Sequence, residues 1–156
     1  MKKSIYLSFL LPLVLLASCS SDDDLADVNV NLTLDGVTVA DNNFYTVEGN
    51  DVTVENLSVT SLTDKPATIV NARYFLNGVP LVPSFSQYET IGFSTTGLKP
   101  GSYNFEIAAT VLQVDKSITA IASSYTINVV ENEENLPEGA PEIGSYTLTL
   151  TTHQSK

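Results

Sequence analysis

Tryptophan is missing from the 156 residues, and cysteine, histidine and methionine occur once each. A single cysteine cannot close a disulfide within the chain, so the fold must hold by its core alone. The one histidine, His153, stands in a polar tail where a solvated side chain is expected, and the one thiol, Cys19, follows an apolar leader, so neither a Cys-His pair nor a Ser-His-Asp triad is expected on a rigid frame. Zinc sites with His and Cys spacing are excluded for the same reason. Positive charge is scarce too: seven Lys and Arg stand against eighteen Asp and Glu, for a formal net charge of −11. Such a balance repels phosphate backbones and anionic headgroups, so no nucleic-acid partner and no basic lipid-binding patch are expected. Glycine-rich phosphate loops and dinucleotide fingerprints are absent, and no cofactor is expected.

The apolar run is short as well. Lys2 and Lys3 precede a mostly apolar stretch from Ile5 to Leu16, followed by the small residues Ala17 and Ser18. About twelve residues fall short of the roughly twenty that span a bilayer, and the three-part form is that of a secretory signal. The stretch Leu16-Ala17-Ser18-Cys19 resembles the lipobox of bacterial lipoproteins. The resemblance implies that residues 1–18 are removed, that the Cys19 sulfur receives a diacylglycerol, and that the new amino terminus is acylated. Each buried methylene contributes about 0.8 kcal/mol and stable anchoring takes more than one chain, which a diacylglycerol supplies. Ser20-Ser21-Asp22-Asp23-Asp24 is similar to the acidic export tag that some Gram-negative anaerobes place behind the lipidated cysteine. That likeness implies an outer-membrane lipoprotein facing the cell exterior, with residues 19–26 as a solvated tether. The periplasmic leaflet is the alternative location.

From Asp27 onward the pattern changes to period two, and no window shows a helical period. Val28, Val30, Leu32 and Leu34 alternate with polar residues, and Val37 and Val39 continue after Asp35-Gly36. Val52 and Val54 give way to Leu57 and Val59, a change of parity that predicts a bulge near Glu55 and Asn56. Val70, Ala72, Tyr74 and Leu76 share one face of a strand that ends at Asn77-Gly78, a strong hairpin signal. Ile91 and Phe93 mark a short strand. Tyr103, Phe105, Ile107, Ala109 and Val111 form the longest alternation, which turns at Asp115-Lys116 into Ile118 through Val129. About seven antiparallel strands with turns between them predict an all-β fold of sandwich type.

Leu98-Lys99-Pro100-Gly101-Ser102-Tyr103 resembles the L-x-P-G-x-Y entry to the sixth strand of fibronectin type III and other immunoglobulin-like domains. The resemblance implies an immunoglobulin-like β-sandwich over residues 27–131, with the Tyr103 hydroxyl bonded back to the backbone. Ala72 to Gly78 is similar to the third strand and hairpin of bacterial immunoglobulin-like modules, with Tyr74 in place of the buried tryptophan of antibody domains. The missing tryptophan and cysteine pair exclude an antibody-type core. These motifs speak for fold and not for activity. Residues 132–156 read as a polar, proline-bearing linker, a terminal strand from Ser145 to Thr151 and a tail. That strand can add to a sheet edge, open a further domain, or pair with a partner's sheet.

Binding residues are sought among loops and aromatics. Asp41-Asn42-Asn43 with Glu48, Asn50 and Asp51 offers oxygen ligands for calcium, but the sixth position of an EF-hand loop begun at Asp41 is Thr46 instead of glycine, and Asx-rich turns explain the same residues. Metal ligands are therefore not assigned. Val79 to Tyr88 carries two prolines, and its Phe85 and Tyr88 offer flat faces to a sugar ring or a protein; capping the end of the core is the competing role for both rings. Phe75, opposite in parity to Tyr74, is a third candidate, unless it lies under Ile69. The expected function is a non-catalytic, lipid-anchored binding or adhesion module for a glycan or protein. The alternative is an assembly subunit of an outer-membrane complex, joined through an edge or terminal strand. A paired-carboxylate glycosidase is open by residue type, but a fold this small leaves little room for a deep cleft, and no catalytic residues are assigned.

Overall fold

Thirteen residues from Val28 to Ala40 form the first strand, β1, and its alternation is realised fully: Val28, Val30, Leu32 and Leu34 are each at most 1% exposed. The computed structural model describes residues 28–61, 67–81, 91–113 and 118–152. Eight more strands follow: β2 (Asn43–Val47), β3 (Asp51–Ser61), β4 (Ala67–Leu76), β5 (Val79–Pro80), β6 (Gly92–Ser94), β7 (Gly101–Gln113), β8 (Ile118–Val130) and β9 (Gly144–Thr152). The chain is all-β over the described residues, save for one 3-10 turn at Glu133–Asn135. The turn is capped by the Asn132 side chain, which accepts from the Glu134 amide.

The strands join into one curled, mixed sheet in the order β5-β4-β7-β8-β2-β1-β3-β6, with β9 also paired to β1. The curl is made by β1, which belongs to both halves. Its first part pairs antiparallel with β3 and β9, and its last three residues pair with β2. The switch falls at Gly36, whose φ of +85° disfavours any side chain and whose Cβ would stand 2.1 Å from the Asp51 carbonyl oxygen. Beyond it Val37 and Thr38 are both buried, so the strand changes the face it shows the core. Asp41 and Asn42, at φ 49° and 61°, then form a two-residue turn of type I′. That turn sends β2 back parallel to β8, from Phe44 opposite Ile127 to Val47 opposite Val130.

The two halves enclose one core. Phe44, Phe105, Leu32, Leu34, Ile107 and Ile127 are its largest fully buried side chains. Tyr125 on β8 crosses it, donating its hydroxyl to the Val30 carbonyl on β1 over 2.9 Å. Buried threonines close the end of the core at the β2–β3 turn: Thr46 donates to the Gly36 carbonyl, and Thr95 reaches the Val47 and Asn50 carbonyls. No buried side-chain polar atom among the described residues lacks a partner, as a closed polar inventory requires.

Register confirms two sequence expectations and corrects a third. Thr33 faces Asn56 while Leu34 faces Val54, so Glu55 is the extra residue of a bulge where the parity break predicts one. Asn77 and Gly78, at φ 47° and 80°, close the hairpin between β4 and β5. Val70, by contrast, does not share the inner face with Ala72, Tyr74 and Leu76. The register of β4 against β7 slips between Ile69 and Asn71, which leaves Val70 60% exposed and turns Ile69 toward the core instead. Both Ile69 and Val70 are apolar, so alternation alone cannot tell which of them the slip ejects.

The terminal strand adds to the sheet beside β1. Its register runs without interruption from Tyr146 opposite Leu34 to Thr152 opposite Val28.

Candidate functional site

The turn at Lys99-Pro100-Gly101 delivers the chain into β7, and the Tyr103 hydroxyl donates to the Lys99 carbonyl over 2.7 Å. This is the backward bond expected of Tyr103. It fixes the corner at the start of β7, beside the hairpin of β4 and β5; Asn77 accepts the Asn104 amide with its side chain and donates its own amide to the Asn104 carbonyl. Tyr74 lies beneath that hairpin, stacked at a tilt on Phe105, which in turn meets Phe93. Burial pushes the Tyr74 phenol pKa up, so its hydroxyl stays neutral and offers no charge to a ligand.

An open cleft of about 400 Å³ lies between β3 and β4, lined by Val54, Glu55, Leu57, Ile69, Tyr74 and Ile91 among others. Its walls come from the two bulges. The slip at Glu55 puts a carboxylate at the cleft, and the slip at Ile69/Asn71 turns Ile69 in against Tyr74. The lining is mixed, with Val54, Leu57, Ile69 and Ile91 apolar and Glu55 and Asn56 polar, a composition that suits a ring or an aliphatic chain carrying polar substituents.

Of the three aromatic candidates read from the sequence, Phe75 alone falls within the described residues. It is half-buried on β4, opposite Pro80 on one side and Glu106 on the other, and it is not packed on the core. Since Ile69 turns inward and Phe75 does not, the ring does not lie under Ile69. Phe85, Tyr88 and Cys19 fall outside the described residues, as do His153 and the Asp115-Lys116 turn. Both flanks of the stretch bearing Phe85 and Tyr88 are held near the cleft: the Leu81 amide donates to the Tyr74 carbonyl, and the Ile91 carbonyl accepts from Val54, each at 2.8 Å. Asp41, Glu48 and Asp51 do not gather, and no three His, Cys, Asp or Glu among the described residues form a metal-binding group.

A second surface has no counterpart among the candidates read from the sequence. On the outer face of β3, β1 and β9 stand short polar side chains bonded sideways into rows. Asn31 donates to Ser58 at 3.2 Å and accepts from Thr149 at 2.7 Å; Thr151 donates to Asn29, Thr33 bonds Thr147, and Ser145 donates to Asp35. Asp35 is the one charged member of these rows. The polar half of each alternation was legible in the sequence, but the rows needed the register of β9 on β1. Neither a scan of protein-family models nor a comparison with curated proteins finds a match for this chain.

Proposed function

We propose that the protein is a non-catalytic binding or adhesion module, held by lipid at Cys19 on the outer membrane and facing the cell exterior, with a glycan or protein as ligand. The observation that carries this reading is Leu16-Ala17-Ser18-Cys19 followed by Ser20-Ser21 and the three aspartates Asp22 to Asp24. Its body is an immunoglobulin-like sandwich. The bond from Tyr103 to Lys99 supports that finer fold, as does the division of strands into β3, β1 and β9 against β4, β7 and β8. Ligand recognition is assigned to the neighbourhood of Phe75, Phe85 and Tyr88. The held flanks at Leu81 and Ile91 support the role of Phe85 and Tyr88, and the half-buried ring of Phe75, off the core on the opposite face of β4 from Tyr74, supports its own.

Two arms test the reading. Cys19→Ala should move the protein from the detergent-soluble membrane fraction to the aqueous one. Binding on an array of glycans and surface proteins should be lost in the double variant Phe85→Ala, Tyr88→Ala while far-UV circular dichroism is unchanged. Turnover of a glycan or peptide by the purified chain would overthrow the non-catalytic reading.

A second reading, an assembly subunit joined through an edge strand, is favoured by one observation. β9 is an added edge strand with no fully buried side chain, so its attachment to the body is shallow.

A further inference from the structure

Sheet edges expose unpaired amide and carbonyl groups, and soluble proteins blunt them with charge, proline, bulges or a covering segment. Most free edges among the described residues follow that practice. The edge of β4 carries the bulge at Val70 and the cation Arg73, and it passes to Pro80 in β5. The edge of β3 carries the bulge at Glu55 and ends under the three-residue β6. Along β8, beyond its contact with β2, Thr152 reaches across to donate to the Ala122 carbonyl. The same bond ties the far end of β9 to β8, but from Ser145 to Thr151 the outer edge of β9 has none of these devices among the described residues. Gly-Ser-Tyr-Thr-Leu-Thr-Leu-Thr-Thr contains no charged residue and no proline, and no bulge interrupts Tyr146 to Thr152. Its β-branched and aromatic content favours strand pairing further.

We propose that this edge pairs antiparallel with β9 of a second copy, across a two-fold axis at Leu148. The inference deepens the assembly reading above, and rests on it, by naming the partner. A second copy is chosen on charge and pattern. Two molecules that each carry a formal −11, made more negative once Lys2 and Lys3 leave with residues 1–18, repel through most surfaces, and a nine-residue stretch without a carboxylate is where two backbones can meet at little electrostatic cost. The strand is also self-complementary about its centre. Thr147 falls opposite Thr149 of the second copy and Ser145 opposite Thr151, while Tyr146 meets Leu150 and Leu148 meets Leu148. Hydroxyls thus face hydroxyls on the outer side and apolar groups face apolar groups on the inner side, as an isologous contact requires. The polar rows of β3, β1 and β9 would continue across the axis into those of the second copy.

The test uses the full chain in mild detergent, by sedimentation velocity over a range of concentrations. Wild type should show a reversible monomer–dimer equilibrium. Thr147→Lys with Thr149→Lys should weaken self-association by about tenfold or more, because each lysine meets a lysine across the axis, and Thr147→Glu with Thr149→Glu should do the same. Both positions are exposed, so the fold should be kept, as circular dichroism can check. Mixing the lysine and glutamate variants should restore the dimer, a result that damage to the fold cannot produce. A wild type that stays monomeric throughout overturns self-pairing, while capture of a different envelope protein dependent on Gly144–Thr152 would keep the assembly reading. A dimer that survives in the lysine variant, or one that mixing does not restore, also overturns it.

Discussion

The sequence Gly-Ser-Tyr occurs at the start of two strands, β7 and β9, and the same bond forms at both: Tyr103 donates to the Lys99 carbonyl at 2.7 Å, and Tyr146 to the Glu142 carbonyl at 2.6 Å, each four residues back. The strands that follow differ sharply. β7 is central, paired on both sides, and buries Phe105, Ile107, Ala109 and Val111 almost completely. β9 is an edge strand, and Tyr146, Leu148 and Leu150 are only partly buried against the core. A local device therefore fixes how a chain enters a strand, while position in the sheet decides how much apolar surface the strand removes from water.

The comparison has measurable consequences for stability. Ile107→Ala should cost about 2–5 kcal/mol, as truncation of a fully buried aliphatic does, whereas Leu148→Ala should cost about 1 kcal/mol because its environment is half solvent. Urea denaturation midpoints of the two variants give the ratio, and equal losses would break the contrast between centre and edge. Tyr103→Phe should destabilise by about 1 kcal/mol through the lost corner bond, and Tyr146→Phe by less, since fraying at an edge strand leaves its carbonyl partner free to meet water. If Tyr146→Phe proves the more harmful, the β9 corner anchors more of the fold than its burial suggests.

A further effect, absent at neutral pH, concerns alkaline conditions and separates the core from both corners. Burial pushes the Tyr125 pKa up to about 12 from 10.0, opposed in part by a hydrogen bond with Ser123. A raised folded-state value means the unfolded chain loses its proton first. The stabilising contribution is therefore complete below pH 10 and is lost as pH rises toward 12. Tyr125→Phe should flatten part of that decline, with the rest left to Tyr74, whose pKa shifts the same way. Urea midpoints measured at several alkaline pH values in wild type and variant check the sign.

Much of the fold was legible because alternation reports burial directly wherever a strand buries one face. The β1, β7 and β8 patterns, the bulge at Glu55 and the hairpin at Asn77-Gly78 all followed from residue types in order. What stayed hidden depended on contacts distant in sequence. Val70 and Ile69 are equally apolar, and only pairing with β7 decides which turns outward. Gly36 reads as a turn residue, yet its role is to let β1 change sheets beside Asp51. Little of the candidate site was legible: Phe75 reads as a ring off the core and lies on the opposite face of β4 from Tyr74, while the cleft beside Tyr74 arises from two bulges meeting across the layers, which no local window contains. The Asn and Thr rows likewise needed the register of β9, a strand more than a hundred residues from β1.

The central claim concerns Cys19, and intact-mass and peptide mass spectrometry of the native amino terminus tests it most directly. The account predicts a chain that begins at Cys19, with residues 1–18 removed, a diacylglycerol on the sulfur and an acyl chain on the new amine. A free thiol at Cys19, or a chain still carrying its leader, would contradict it.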